Sequence, residues 1–167
     1  KKIFMKKFIS IIGLNAFFAM TLNAQIDPIK IEGYAQGSTY HISYFDSQNR
    51  NLQPEIEKIL QEFDKSVSTY LPTSIISRIN AGQKNIKVDK YFIACFNKAK
   101  EVWKNTNGAF DPTVYPLVNA WGFGPGKKQK IEPHVMDSIL KFVGFQLIEL
   151  KGNKVIKKDA RVALDFN

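Results

Sequence analysis

Hydrophobic and polar positions along the chain change period several times, and each change marks an element. From Tyr34 to Phe45 the pattern alternates: Tyr40, Ile42 and Tyr44 share one face, and Thr39, His41 and Ser43 the other, which predicts extended structure. Gly37 interrupts this stretch and is expected at a bulge or at a close approach of the backbone to another group. The period then lengthens. Leu52, Ile56, Ile59, Leu60, Phe63 and Val67 recur at steps of three and four, and Pro54 suits a first turn, so a helix is predicted over residues 53–66. A polar loop, Ser68-Thr69-Tyr70-Leu71-Pro72-Thr73-Ser74, leads to a short helix carrying Ile75, Ile76 and Ile79 that ends at Ala81-Gly82.

Asp89 stands where it caps a longer helix, whose buried stripe is Phe92, Cys95, Phe96, Ala99, Val102 and Trp103 and whose end is Asn107-Gly108. From Ala109 to Gly126 turn formers and aromatics are mixed, and an irregular, functional segment is expected. Pro133 opens another helix running through Ile139, Leu140 and Val143 to Gly144. Strands are predicted at 145–150 and 155–158 around a Lys151-Gly152-Asn153-Lys154 turn, with a last strand carrying Val162, Leu164 and Phe166. Helices and strands are mixed, an α/β or α+β class. The chain stops directly after an apolar strand, so it is expected to be the N-terminal portion of a larger fold.

Charge first suggests a nucleic-acid or membrane partner, with 24 basic against 15 acidic residues and a net +9 in 167 residues. Its distribution removes most of that suggestion. Lys1 to Phe8 is basic, Ile9 to Leu22 is largely apolar, and Leu22-Asn23-Ala24 ends on a small residue, the layout of a secretory signal over residues 1–24. An amphipathic or membrane-anchoring helix is the alternative there. Met5 followed by two lysines resembles a natural start. Without residues 1–24 the balance falls to 20 against 15, and the one remaining basic run, Lys127-Lys128-Gln129-Lys130, reads as a solvated loop. Residues 25–167 are then expected to be exported, to the periplasm or the outer face of the inner membrane, with no nucleic-acid partner and with membrane association only through an uncleaved signal. A lone cysteine, Cys95, excludes an intramolecular disulfide and is expected to pack as a small apolar residue.

Nucleotide-binding and hydrolase signatures are missing: there is no G-x-x-x-x-G-K-[ST], G-x-G-x-x-G, G-x-S-x-G or H-E-x-x-H. Gly122-Phe123-Gly124-Pro125-Gly126 reads as a turn. His41 and His134 have no cysteine or second histidine near them in sequence, so neither is expected in a metal site or triad. Two loops carry candidate chemistry. Tyr70, among hydroxyls, presents a face on which a planar ring stacks, or it covers the end of the preceding helix. Asp111, between Phe110 and Pro112, accepts hydrogen bonds from a ligand or closes a turn with its own backbone.

In this order, Ala35-Gln36-Gly37-Ser38-Thr39-Tyr40, Ser68-Thr69-Tyr70-Leu71-Pro72-Thr73-Ser74-Ile75-Ile76-Ser77-Arg78-Ile79-Asn80, Thr106-Asn107-Gly108-Ala109-Phe110-Asp111-Pro112-Thr113-Val114 and Trp121-Gly122-Phe123-Gly124 resemble the ApbE flavin transferases, also called thiamine biosynthesis lipoproteins, over residues 33–167. The resemblance implies an FAD:protein FMN transferase that uses Mg²⁺ to split FAD, joins FMN to a Thr or Ser of an acceptor protein and releases AMP. Matched position by position, it implies that Tyr70, Ala109, Phe110, Asp111 and Asp165 bind FAD. Gln36 stands where the family commonly has a Met contacting FAD. The metal ligands and catalytic His are expected beyond Asn167, so these residues by themselves are expected to be inactive. Gln25 replaces a lipidated Cys. A non-catalytic periplasmic flavin or nucleotide carrier and a basic surface-binding module are the other function classes.

Overall fold

The computed structural model describes residues 27–125 and 132–166. The signal-like segment 1–24 and the run Lys127-Lys128-Gln129-Lys130 lie outside the described residues. The described residues divide into two compact units, one of residues 27–34 and 39–52 and the other of residues 35–38, 53–125 and 132–166.

The smaller unit is built on an antiparallel hairpin of β1 (Ile29–Ala35) and β2 (Ser38–Tyr44). As the alternation predicted, Tyr40, Ile42 and Tyr44 are the half-buried positions of β2, and His41 and Ser43 are exposed. Tyr40 leaves no room for a side chain at Gly33, where an added Cβ would collide with the ring. After β2 the chain turns back through Asp46, which accepts hydrogen bonds from the Arg50 amide at 2.7 Å and from the Arg50 guanidinium at 2.6 Å. That pairing holds the Asp46 carboxyl at about 2, below its usual value. Tyr44 closes the same loop, donating to the Arg50 carbonyl and accepting from the Leu52 amide.

The residues linking β1 to β2 correct the expectation for Gly37. Gln36 and Gly37 form a two-residue turn with φ of 53° and 79°, the doubly left-handed turn that matches strand twist. An added Cβ at Gly37 meets open space, so glycine is there for its backbone conformation and not for a close approach.

In the larger unit, α1 (Gln53–Val67), α2 (Ile75–Asn80) and α3 (Lys90–Asn105) pack around a core of Val67, Ile76, Ile79, Phe92, Phe96 and Ala99. Ser74 caps α2 by accepting from the Ser77 amide, and Asp89 caps α3 by accepting from the Phe92 amide at 2.9 Å. The same Asp89 oxygen accepts from the buried hydroxyl of Ser66 at 2.7 Å, which ties the end of α1 to the start of α3. Phe92 stacks on Phe96 and Phe145 on Trp103, the two pairs are joined by a tilted Phe96–Phe145 contact, and Phe166 meets Phe92 edge-on at 5.3 Å. Cys95 packs beside this core, as expected of a small apolar side chain, and burial pushes its thiol up, with the Asp89 carboxylate adding to the effect.

Three other expectations change in this unit. Residues 109–126 are not irregular throughout: a 3₁₀ turn (Pro112–Val114) runs into α4 (Tyr115–Ala120). Pro112 and Pro116 fall in first-turn positions, where a missing amide proton costs nothing, so the prolines start helices here. The strand predicted from Phe145 begins only at β3 (Ile148–Lys151), because Phe145–Leu147 form a 3₁₀ turn after α5 (Pro133–Leu140). β3 pairs antiparallel with β4 (Lys154–Lys157) around Gly152-Asn153. Last, residues 162–166, where a strand was expected, belong to no ladder among the described residues. Val162 and Leu164 are fully buried there, and the backbone is held by a side chain and a loop instead.

Candidate functional site

The loop 68–74 is closed by hydroxyls. The Ser74 side chain donates to the Ser68 carbonyl at 2.7 Å, and the Ser77 side chain reaches the Ser68 and Thr69 carbonyls at 3.3 and 3.4 Å. Thr69 is buried beneath the loop, which turns Tyr70 outward with 62% of its surface exposed. The Tyr70 hydroxyl donates to the Phe123 carbonyl at 2.8 Å. A largely exposed ring anchored at its polar end is of the kind that serves as a stacking platform. Beside it lies a cleft of about 450 Å³ lined by Gln36, Gly37, Phe63, Asp64, Val67, Ser68 and Tyr70.

Asp111 is engaged inside the protein. Its Oδ1 accepts from the Thr113 amide at 2.8 Å and the Thr113 hydroxyl at 2.6 Å, and its Oδ2 accepts from the Phe145 amide at 2.8 Å. Thr113, fully buried, also accepts from the Gly144 amide at 2.6 Å. Gly144, at φ 151°, takes a backbone conformation that residues with a side chain rarely adopt. Asp111 and Thr113 therefore join the loop after α3 to the turn that starts β3. The bond from the Thr113 amide makes the turn with its own backbone that was one of the two readings of Asp111, and the bond from the Phe145 amide extends it over a range that local sequence did not suggest. Ala109 and Phe110 are exposed, and their amides bond to the Thr106 carbonyl and hydroxyl.

Asp165 is placed by its neighbours. Asn80 bonds both backbone groups of Leu164, and the Asp165 amide donates to the Pro112 carbonyl at 2.8 Å. Tyr115 lies near enough to feel both the Asp165 carboxylate and the Tyr70 hydroxyl. Burial pushes its phenol up, and these two neighbours push it further. Of the residues singled out in the sequence, Gln36 and Tyr70 thus line one cleft, Asp165 and Tyr70 both act electrostatically on Tyr115, and Asp111 braces two segments of backbone. Tyr115, Thr113 and the Phe123 carbonyl were missed by sequence reasoning. Asn80 stood in the quoted motif without a role.

These residues fit a flavin nucleotide in kind: an anchored aromatic face, a cleft beside it, and a carboxylate with a phenol nearby to meet polar edges. They do not supply a metal centre, because no three His, Cys, Asp or Glu side chains gather as one among the described residues. No described helix is long and apolar enough to cross a membrane.

The ApbE family model matches residues 36–167. The FAD:protein FMN transferase of Haemophilus influenzae is 35% identical over 164 residues, covering 90% of this chain and 47% of that protein. Among solved structures, the flavin transferase ApbE from Vibrio cholerae is similar with a TM-score of 0.78 at 28% identity, covering 84% of this chain and 48% of that one. The apo flavinyl transferase ApbE of Pseudomonas stutzeri also gives 0.78, at 29% identity and with 86% and 50% covered. The chain spans about half the length of the curated relatives it matches.

Proposed function

The chain belongs to the ApbE family, and on that premise we propose that the protein is an FAD:protein FMN transferase. The observation that carries the reading is the largely exposed Tyr70 side chain, which lines the cleft and is tied at its hydroxyl to the Phe123 carbonyl. A planar ring system stacks on such a ring, and the nearby Asp165 and Tyr115 supply an acceptor and a donor for its polar edges. In the reaction, a Thr or Ser hydroxyl oxygen of an acceptor protein bonds to the FMN phosphorus of FAD. The pyrophosphate bond on that phosphorus breaks, AMP leaves with the bridging oxygen, and the hydroxyl proton passes to a base. Magnesium, when bound, neutralises charge on the departing phosphate. This reading assigns its ligands and the base to the part of the family's length that residues 1–167 do not span. The basic, apolar and small-residue layout of residues 1–24 supports export to the periplasm.

The test is to incubate the full-length protein with FAD, Mg²⁺ and a candidate acceptor domain. A mass gain on the acceptor equal to FMN, with equimolar AMP, is the expected result. FAD bound intact with no adduct would make the protein a carrier, and FAD split without an adduct would make it a pyrophosphatase.

A further inference from the structure

We infer that the outer edge of β4 is a docking strand for an acidic, extended segment of a partner protein. The register places Lys151 opposite Lys154 and Glu149 opposite Ile156, and the Lys158 amide donates to the Leu147 carbonyl at 2.8 Å. Hydrogen bonding alternates along an antiparallel strand, so Lys154, Ile156 and Lys158 direct their backbone groups to β3. Val155 and Lys157 direct theirs the other way. β4 has β3 as its only ladder partner among the described residues; on its other edge the Asn153 carbonyl accepts from the Val88 amide at 2.9 Å, and beyond that bond Val155 and Lys157 face the groove without a ladder partner among those residues.

The open edge is one wall of a groove of about 500 Å³, whose other wall is the loop from Gly82 to Ile86. Its apolar surface comes from Ile79, Ile86, Val155 and Ile156, and its charged residues are Lys84, Lys154 and Lys157, with no Asp or Glu in the lining. Lys157 turns its ammonium back onto the Ile79 and Ala160 carbonyls, at 3.2 and 2.8 Å, and so does not stand across the edge. Lys84 and Lys154 remain to meet charge. Lysines on an edge discourage pairing with a second copy of the same basic strand, but they attract an acidic one. Four residues of β4 rise about 14 Å, enough to seat a short strand by main-chain pairing, with apolar side chains on the groove floor and carboxylates toward the lysines. This inference concerns binding alone and holds whether or not the protein transfers FMN.

The test uses the full-length protein without FAD and a fluorescent eight-residue peptide alternating glutamate and valine. Fluorescence anisotropy should show saturable binding that weakens as salt rises, and at least tenfold weaker binding when lysine replaces glutamate. Alternate N-methylation of the peptide backbone should abolish binding. The double substitution Lys84→Glu and Lys154→Glu, on exposed side chains, should cost at least tenfold with an unchanged melting temperature. On the unaltered protein, hydrogen exchange at the Val155 and Lys157 amides should slow only when the peptide is added. Equal binding of the N-methylated or the lysine peptide would overturn the inference. So would slow exchange of those two amides without peptide, because the edge would then already be paired within the protein or with another copy.

Discussion

Asn80 holds Leu164 as a neighbouring strand would: its amide nitrogen donates to the Leu164 carbonyl and its amide oxygen accepts from the Leu164 amide, both at 2.8 Å. Leu164 is fully buried, so water does not replace these bonds when they are lost. Asn80→Ala should therefore destabilise the full-length protein by about 2–3 kcal/mol, read as a lower denaturant midpoint. Asp165, next in the chain, loses its support too, so FAD affinity should fall in the same variant. An unchanged midpoint would show that the pair contributes nothing to holding this segment.

Thr113 makes a second such link, with its hydroxyl donating to Asp111 and accepting from the Gly144 amide. Thr113→Val keeps the shape and removes both bonds, leaving a buried amide unpartnered. The expected cost is about 2 kcal/mol. Thr113→Ser keeps both bonds and loses one buried methyl group, for about 1 kcal/mol. Urea denaturation of the two variants should rank valine as the more damaging substitution; the reverse order would mean that packing outweighs the hydrogen bonds.

These two links also explain what was legible in the sequence. α1 and α3 followed from their apolar spacing, and the caps Ser74 and Asp89 act within three residues of the amides they satisfy. Asp111 reaches Phe145 across 34 positions and Asn80 reaches Leu164 across 84, and no periodicity encodes either pairing. In the last segment Val162, Leu164 and Phe166 alternate as a buried strand does, and among the described residues a side-chain amide bonds its backbone where a strand ladder was expected. α4 was hidden because Pro112 and Pro116, which begin helical turns, look like loop residues beside Gly122 and Gly124. In the site, Tyr70 stood out as an aromatic among hydroxyls. Tyr115 lacked a local signal, because the residues that perturb it come from distant parts of the chain.

Tyr115 gives a pH prediction. Its phenol is raised above the ordinary tyrosine value by burial first, then by Asp165 and Tyr70. The folded protein therefore keeps this proton at a pH where the unfolded chain, with a tyrosine near pH 10, already loses it. Below that value Tyr115 makes no pH-dependent contribution; above it stability falls, until the folded-state phenol also ionises. Tyr115→Phe should flatten this alkaline decline in denaturation curves. The same substitution should remove one high-pH component of the tyrosinate absorbance of the folded protein. An alkaline decline identical in the two proteins would mean that the phenol ionises alike in both states.

Tyr70 separates its two readings by how stability and ligand affinity divide. Its ring is 62% exposed and its hydroxyl is bonded to the Phe123 carbonyl. If the ring is a platform for the flavin nucleotide, Tyr70→Ala should weaken FAD binding by about 10- to 100-fold, corresponding to about 1–3 kcal/mol of stacking. The denaturation midpoint should barely move, because little surface is buried there. Tyr70→Phe keeps the face and loses only the anchor, so FAD affinity should fall by about fivefold, the worth of one exposed hydrogen bond. A ring that only covered the end of α1 would give the opposite division, with FAD affinity preserved in both variants and stability lost in the alanine one. Fluorescence titration of FAD and chemical denaturation on the same samples of full-length protein distinguish these outcomes.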